Sequence, residues 1–142
     1  MIWIIAAAIV NTLWTLWCVQ LLPARVATHF GLGGQPDGWM SRKGFALFSI
    51  FFPLAMAAFM MFVARTGPGM EAPMQHLAAG LILFFSGISW CVVRSNRRAP
   101  ARMDYPSLLL SVAVLLVFVS FSVGDFAKLG KLSHPATNAT HS

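Results

Sequence analysis

The amino-acid sequence predicts an all-α integral membrane protein, a four-helix bundle with a structured interfacial loop between helices 1 and 2. Three observations lead there. Hydrophobic residues make up 58% of the 142 positions and charged residues only 10%, too little polar material to cover a globular surface or to solvate a disordered chain. Four runs are apolar on every side for about the 20 residues that a helix needs to cross ~30 Å of hydrocarbon. None of them alternates apolar and polar residues over about 10 positions, as the strands of a membrane barrel would. The length suits about one domain, and no internal repeat is visible.

The first span, residues 1–22, carries no charge. It lacks the basic start and small-residue cleavage site of a signal peptide, so it reads as a retained helix. The second, 44–64, holds six phenylalanines and Pro53; the proline should kink it, with a neighbouring helix satisfying the freed carbonyl. The third, 74–93, is entered near Pro73. The fourth, 106–123, opens on Pro106, whose missing N–H is harmless in a first turn. Together residues 1–123 form the membrane domain, and 124–142 read as a polar, disordered tail. Within that tail Asn138-Ala139-Thr140 matches the glycosylation acceptor pattern, which matters only in a secreting eukaryote.

Orientation follows from the cations. Arg25, Arg42 and Lys43 lie in the first loop, and Arg94, Arg97, Arg98 and Arg102 in the third; the opposite side has only Arg65, Lys128 and Lys131. The positive-inside rule then places loops 1 and 3 in the cytoplasm and both termini outside a cell (inner) membrane. Trp14, Trp17, Trp39, Trp90 and Tyr105 fall at the same boundary, with Trp3 alone at the other. Because the cations separate apolar runs, the net charge of +6 points to topology and anionic lipid headgroups rather than to nucleic acid.

No ionisable residue sits at the middle of a span, which argues against proton-coupled pumping or ion conduction. Asn11, Thr15 and Cys18 share one face of the first helix by their spacing. They suit interhelical hydrogen bonding, or a polar pocket in which Asn11 reaches a buried ligand. Gly80, Gly87 and Cys91 form a stripe of small residues for close helix approach. Cys18 and Cys91, at similar depth, read as small buried residues rather than a redox pair.

The first loop is the informative segment. Gly31, Gly33, Gly34 and Gly38 allow positive φ or close backbone approach, and Pro36-Asp37-Gly38 has turn chemistry. Val26, Phe30 and Trp39 can dip into the interface while Arg25, Arg42 and Lys43 meet phosphates. Ser41 is placed to cap the second helix. Asp37 is expected to fold the loop by an Asx-type turn or by pairing with Arg25 or Arg42, and His29 by bonding a backbone carbonyl. His29, Asp37 and Ser41 are also the residue types of a hydrolytic triad, but one loop holding them does not establish the geometry. A metal site needs three or four convergent ligands; His29 and Asp37 supply two, Asp104 in the third loop could come near, and His76 lies across the hydrocarbon from them.

The residues Leu22-Pro23, His29-Phe30, Gly34, Pro36-Asp37, Trp39 and Ser41-Arg42 resemble the loop of a bacterial membrane family whose domain has no assigned activity. That domain also occurs in immunity proteins against the sporulation-delaying toxin peptide. The resemblance covers residues 1–64 with the flanking helices. It departs at Gly31, where the family usually has Asn, and at Arg42, where it usually has Lys; the immunity proteins are also longer. It implies a non-enzymatic, multi-pass protein of the immunity type, without cofactor or metal. Its partners would be the bilayer and an amphipathic peptide or anionic lipid, with no nucleic acid. The residues assigned to such binding are His29, Phe30, Gly34, Pro36, Asp37, Trp39, Ser41 and Arg42 in the loop, with Asn11 and Thr15 beneath it. The alternative is a small transporter or an accessory subunit of a membrane complex.

Overall fold

The computed structural model describes residues 2–133. In chain order the elements are α1 (Ile2–Gln20), β1 (Arg25–Phe30), β2 (Pro36–Ser41), α2 (Arg42–Ala64), α3 (Glu71–Asn96) and α4 (Tyr105–Ser133). Three helices are long and apolar enough to cross a membrane: α2, α3, and α4 from Tyr105 to Lys131. The stretch Ile4–Gln20 of α1 is a shorter apolar helix. The chain is mostly helical, as expected, but it is not all-α. The loop between helices 1 and 2 is a two-stranded antiparallel hairpin.

Helix ends follow local chemistry. α1 stops at Gln20, short of Leu22, because Pro23 disfavours helical backbone in the residue before it; the N–H groups of Leu21 and Leu22 close onto the Cys18 and Val19 carbonyls. Ser41 caps α2 by accepting from the Gly44 N–H at 3.0 Å. Pro73 and Pro106 each lie in a first helical turn, where no N–H is needed.

α4 does not end at Val123. It continues to Ser133 over the first half of the expected disordered tail. Ser122 donates to the Pro73 carbonyl at 3.0 Å. Asp125 meets Lys128 at 3.0 Å and His76 at 2.9 Å, and Leu129 packs on Gly69, where an added Cβ would come within 2.3 Å of Leu129 Cδ2. The Lys128 pair lies within α4; the contacts to Pro73, His76 and Gly69 hold the last turns against the start of α3 and the loop before it. Residues 134–142, with the glycosylation pattern at Asn138, and the side chain of Trp3 lie outside the described residues.

The helices pack through small residues. α3 makes its most extensive contact with α4, and the stripe of Gly80 and Gly87 explains it. A Cβ on Gly80 would come within 2.6 Å of Phe118 Cβ, and one on Gly87 within 2.3 Å of Ser111 Oγ. Two apolar clusters fill the bundle. One, at the hairpin end, gathers Cys18, Leu22, Val26, Phe45, Val92 and Val93; the other gathers Ile4, Ala57, Ala78 and Ile82.

Between α1, α2 and α3 runs a polar tie. Pro53 has no N–H to bond the carbonyl four residues before it, that of Ser49. Asn11 Nδ2 donates to that carbonyl at 3.4 Å, and Asn11 Oδ1 accepts from Ser86 Oγ at 2.8 Å. The Trp14 indole then donates to the Ser86 carbonyl at 3.0 Å. Asn11, Thr15 and Cys18 are all completely buried, as their shared face predicts.

Candidate functional site

The hairpin is built from an irregular ladder. Val26 pairs with Met40 and Ala27 with Trp39, but His29 then pairs with Gly38 and Phe30 with Pro36. Thr28 on β1 and Asp37 on β2 are therefore left over, one on each strand. Such irregularities bend a strand and re-aim its side chains. Here they flank His29 and displace Asp37. The His29 ring lies on Gly38, where an added Cβ would come within 2.8 Å of His29 Cβ.

The turn is not where Pro36-Asp37-Gly38 suggested. Those residues belong to β2, with Pro36 opening the strand, a position that spares its missing N–H. The chain reverses at residues 31–35, where the Gly31 N–H donates to the Gln35 carbonyl at 2.9 Å and the Gly34 N–H to the Gly31 carbonyl at 2.8 Å. Of the four loop glycines only Gly34 has positive φ, at 72°, the left-handed region that glycine enters without steric cost.

Contacts from α3 and from the α3–α4 loop hold the hairpin down. Asn96, at the end of α3, pairs with the backbone of Ala27 in both senses. Its Oδ1 accepts from the Ala27 N–H at 2.8 Å, and its Nδ2 donates to the Ala27 carbonyl at 3.0 Å and to that of Val92 at 2.9 Å. At the tip, the Met103 N–H donates to the Gly34 carbonyl at 3.1 Å, and the Tyr105 hydroxyl reaches the Leu32 carbonyl at 3.4 Å. The Arg42 guanidinium donates to the Leu22 carbonyl at 3.3 Å, and its N–H to that of Ala24 at 3.0 Å. Val26 is buried in the bundle rather than dipped into the interface.

The loop that supplies these contacts has its own organiser. The Asp104 side chain is fully buried between Arg94, at 3.2 Å through Nε, and Arg98. Its carboxylate also accepts from Ser107, its N–H donates to Ser95 Oγ at 2.9 Å, and its carbonyl accepts from Cys91 Sγ at 3.4 Å. Standing just before α4, it also offers negative charge to the positive end of that helix.

The predicted site residues therefore divide. Gly34, Ser41 and Arg42 serve the fold of the hairpin, and the Asn11 amide is spent on helix–helix bonds rather than facing a pocket. Thr15 is buried with its hydroxyl unbonded among the described residues. Phe30 and Pro36 are half-buried cross-strand neighbours. His29, Asp37 and Trp39 are exposed, and the Arg25 guanidinium lies 5.7 Å over the Trp39 ring. Contrary to expectation, Asp37 pairs with neither Arg25 nor Arg42, and His29 bonds no carbonyl among the described residues. No hydrogen bond joins His29, Asp37 and Ser41, so they are not arranged as a triad. Asp104 faces its arginines instead of joining His29 and Asp37; no cluster of three or more potential metal ligands is present among the described residues.

The sequence singles out Asp104 only as a possible metal donor, not as the organiser of the third loop, and does not point to Asn96 at all. Asp104 was detectable as the one acidic residue in the arginine-rich third loop, with Arg94 in the last turn of α3 and Arg98 just beyond its end. Nothing in the sequence singles out Asn96, because its partner is backbone.

The segment that contains the hairpin matches a known family. Residues 6–56 carry a domain of unknown function, DUF1648. The match runs from α1 through the hairpin into α2, inside the stretch 1–64 that the loop resemblance covers. The DUF1648 segment stops before α3 and α4, yet Asn96, Met103 and Tyr105, which pin its hairpin, come from beyond it. No curated protein and no solved structure matches the chain.

Proposed function

We propose that this membrane-embedded chain is a non-enzymatic binding protein of the immunity type, engaging an amphipathic peptide on the outer face of its hairpin. The observation that carries the reading is the division of labour in the hairpin. The groups that hold it in place are Asn96, Met103, Tyr105 and Arg42, whereas the His29 and Asp37 side chains stand exposed, without a hydrogen bond or ion pair to any described residue. Polar side chains that do not fold a loop, fixed on a rigid element, are available to a partner. Trp39 with Arg25 above it adds a flat apolar and cationic anchor of the kind that dominates binding surfaces. The link to immunity proteins rests on the loop residues from Leu22 to Arg42.

Seven of the ten cations lie at the hairpin end, on the two loops and their flanking residues, which favours a cytoplasmic hairpin by the positive-inside rule. The test is survival of cells expressing the chain when challenged with the sporulation-delaying toxin peptide. The wild type should protect, and His29→Ala and Asp37→Ala should abolish protection at unchanged membrane abundance. Wild-type survival in both variants, or no protection by the wild type, would remove the hairpin face from the mechanism.

A further inference from the structure

We infer that the groove between α3 and α4 is a binding site for one anionic phospholipid, separate from the hairpin face. Two adjoining cavities make it. A groove of about 330 Å³ runs between the helices, with Leu83 and Gly87 on one wall and Leu110 and Val114 on the other. It meets a second space of about 300 Å³ bounded by Trp90, Arg94, Arg97 and Arg98. Trp90 and Arg94 line both, so the apolar groove opens directly into a basic mouth.

Charge decides the occupant. Three guanidiniums surround that mouth, and one carboxylate, Asp104, is paired with two of them. Both Nη groups of Arg98 are engaged, one on Asp104 and the other on the Met103 carbonyl at 3.3 Å. Arg94 contacts Asp104 through Nε alone, which leaves both of its Nη groups for another acceptor. The Arg97 side chain bonds no described residue. Two arginines with free planar donors suit a phosphate. The half-buried indole of Trp90, stacked on Trp17 with ring centroids 5.8 Å apart, sits where a headgroup meets its acyl chains. Below it the walls are apolar and partly exposed, with Leu110 68% and Leu83 38% accessible, so a lipid tail can enter sideways from the bilayer. Basic pockets between helices at the cytoplasmic face bind anionic lipid by this arrangement. The absence of free Glu or Asp at the mouth, among the described residues, disfavours a cationic peptide.

Native mass spectrometry of the full chain, released from mixed micelles of phosphatidylglycerol and phosphatidylcholine, tests the site. The wild type should retain one phosphatidylglycerol in preference to phosphatidylcholine. Arg97→Gln, which removes no contact of the fold, should weaken that retention about fivefold, the effect of one interfacial cation. Arg102→Gln removes the same charge from the same loop but outside the groove, and should leave retention unchanged. Equal loss in Arg97→Gln and Arg102→Gln would show diffuse attraction and overturn the site. So would equal retention of the two lipids, or a dimer mass in place of the lipid adduct.

Discussion

Asn11 supplies the hydrogen bond that Pro53 withholds from its own helix. The Ser49 carbonyl, four residues before the proline, receives Asn11 Nδ2 from α1 at 3.4 Å, so a defect in α2 becomes the place where α1 is attached. In hydrocarbon no water would satisfy that carbonyl, and the amide therefore fixes the register of the two helices.

A double-mutant cycle should expose this coupling. Asn11→Leu in the native background should cost about 1 kcal/mol, the scale of an interhelical hydrogen bond in a membrane. Pro53→Ala restores a backbone N–H that can bond the Ser49 carbonyl from within α2. In that background the same Asn11→Leu change should cost measurably less. Unfolding equilibria in detergent micelles would give both values. Equal costs in the two backgrounds would mean that the residues act independently.

Helix approach between α3 and α4 should fail at a single point. Gly87→Ala places a methyl 2.3 Å from Ser111 Oγ and 3.0 Å from its Cβ, an overlap that should cost about 1–3 kcal/mol. Ser111→Gly in the same chain removes the obstructing atoms and should restore most of the stability. Thermal unfolding of the two variants in one detergent checks both expectations.

Asp104 should matter through charge and shape in different measure. Its arginine partners are about half exposed, 50% and 45%, so solvent screens the ion pairs and Asp104→Asn should cost only about 1 kcal/mol. Asp104→Ala also strands the Ser107 hydroxyl and empties a buried site, and should cost about 2 kcal/mol. Unfolding of both variants at low and high salt separates the contributions. The Asn variant should approach the wild type as salt rises, and the Ala variant should not.

The helices and their faces were legible because hydrocarbon imposes one rule on every residue. Twenty apolar positions make a span, Asn11, Thr15 and Cys18 declare a buried face, and Gly87 a close contact. The hairpin was legible only as an ordered loop. Its strands are six residues long, interrupted by Thr28 and Asp37, and contain Pro36 and Gly38, so neither alternation nor turn residues mark them. The proline–aspartate–glycine run suggested a bend, but the register with Phe30 and His29 places it in a strand and moves the reversal to Gly31–Gln35. The end of α4 lies beyond the expected span for a related reason. Residues after Val123 are polar enough to leave the bilayer, but His76 and Gly69, far away in sequence, give the helix something to rest on.

Asn96 holds the hairpin, while the side chains of His29 and Asp37 only stand on it. Amide hydrogen exchange across residues 25–41, in lipid nanodiscs, separates the two roles. Losing the Asn96 pairing strands a buried N–H and a buried carbonyl of Ala27, so Asn96→Ala should raise exchange in β1 about tenfold or more. The double variant His29→Ala/Asp37→Ala should exchange as the wild type does. Faster exchange in the double variant, or a fully protected hairpin in Asn96→Ala, would mean that Asn96 is not what holds the hairpin.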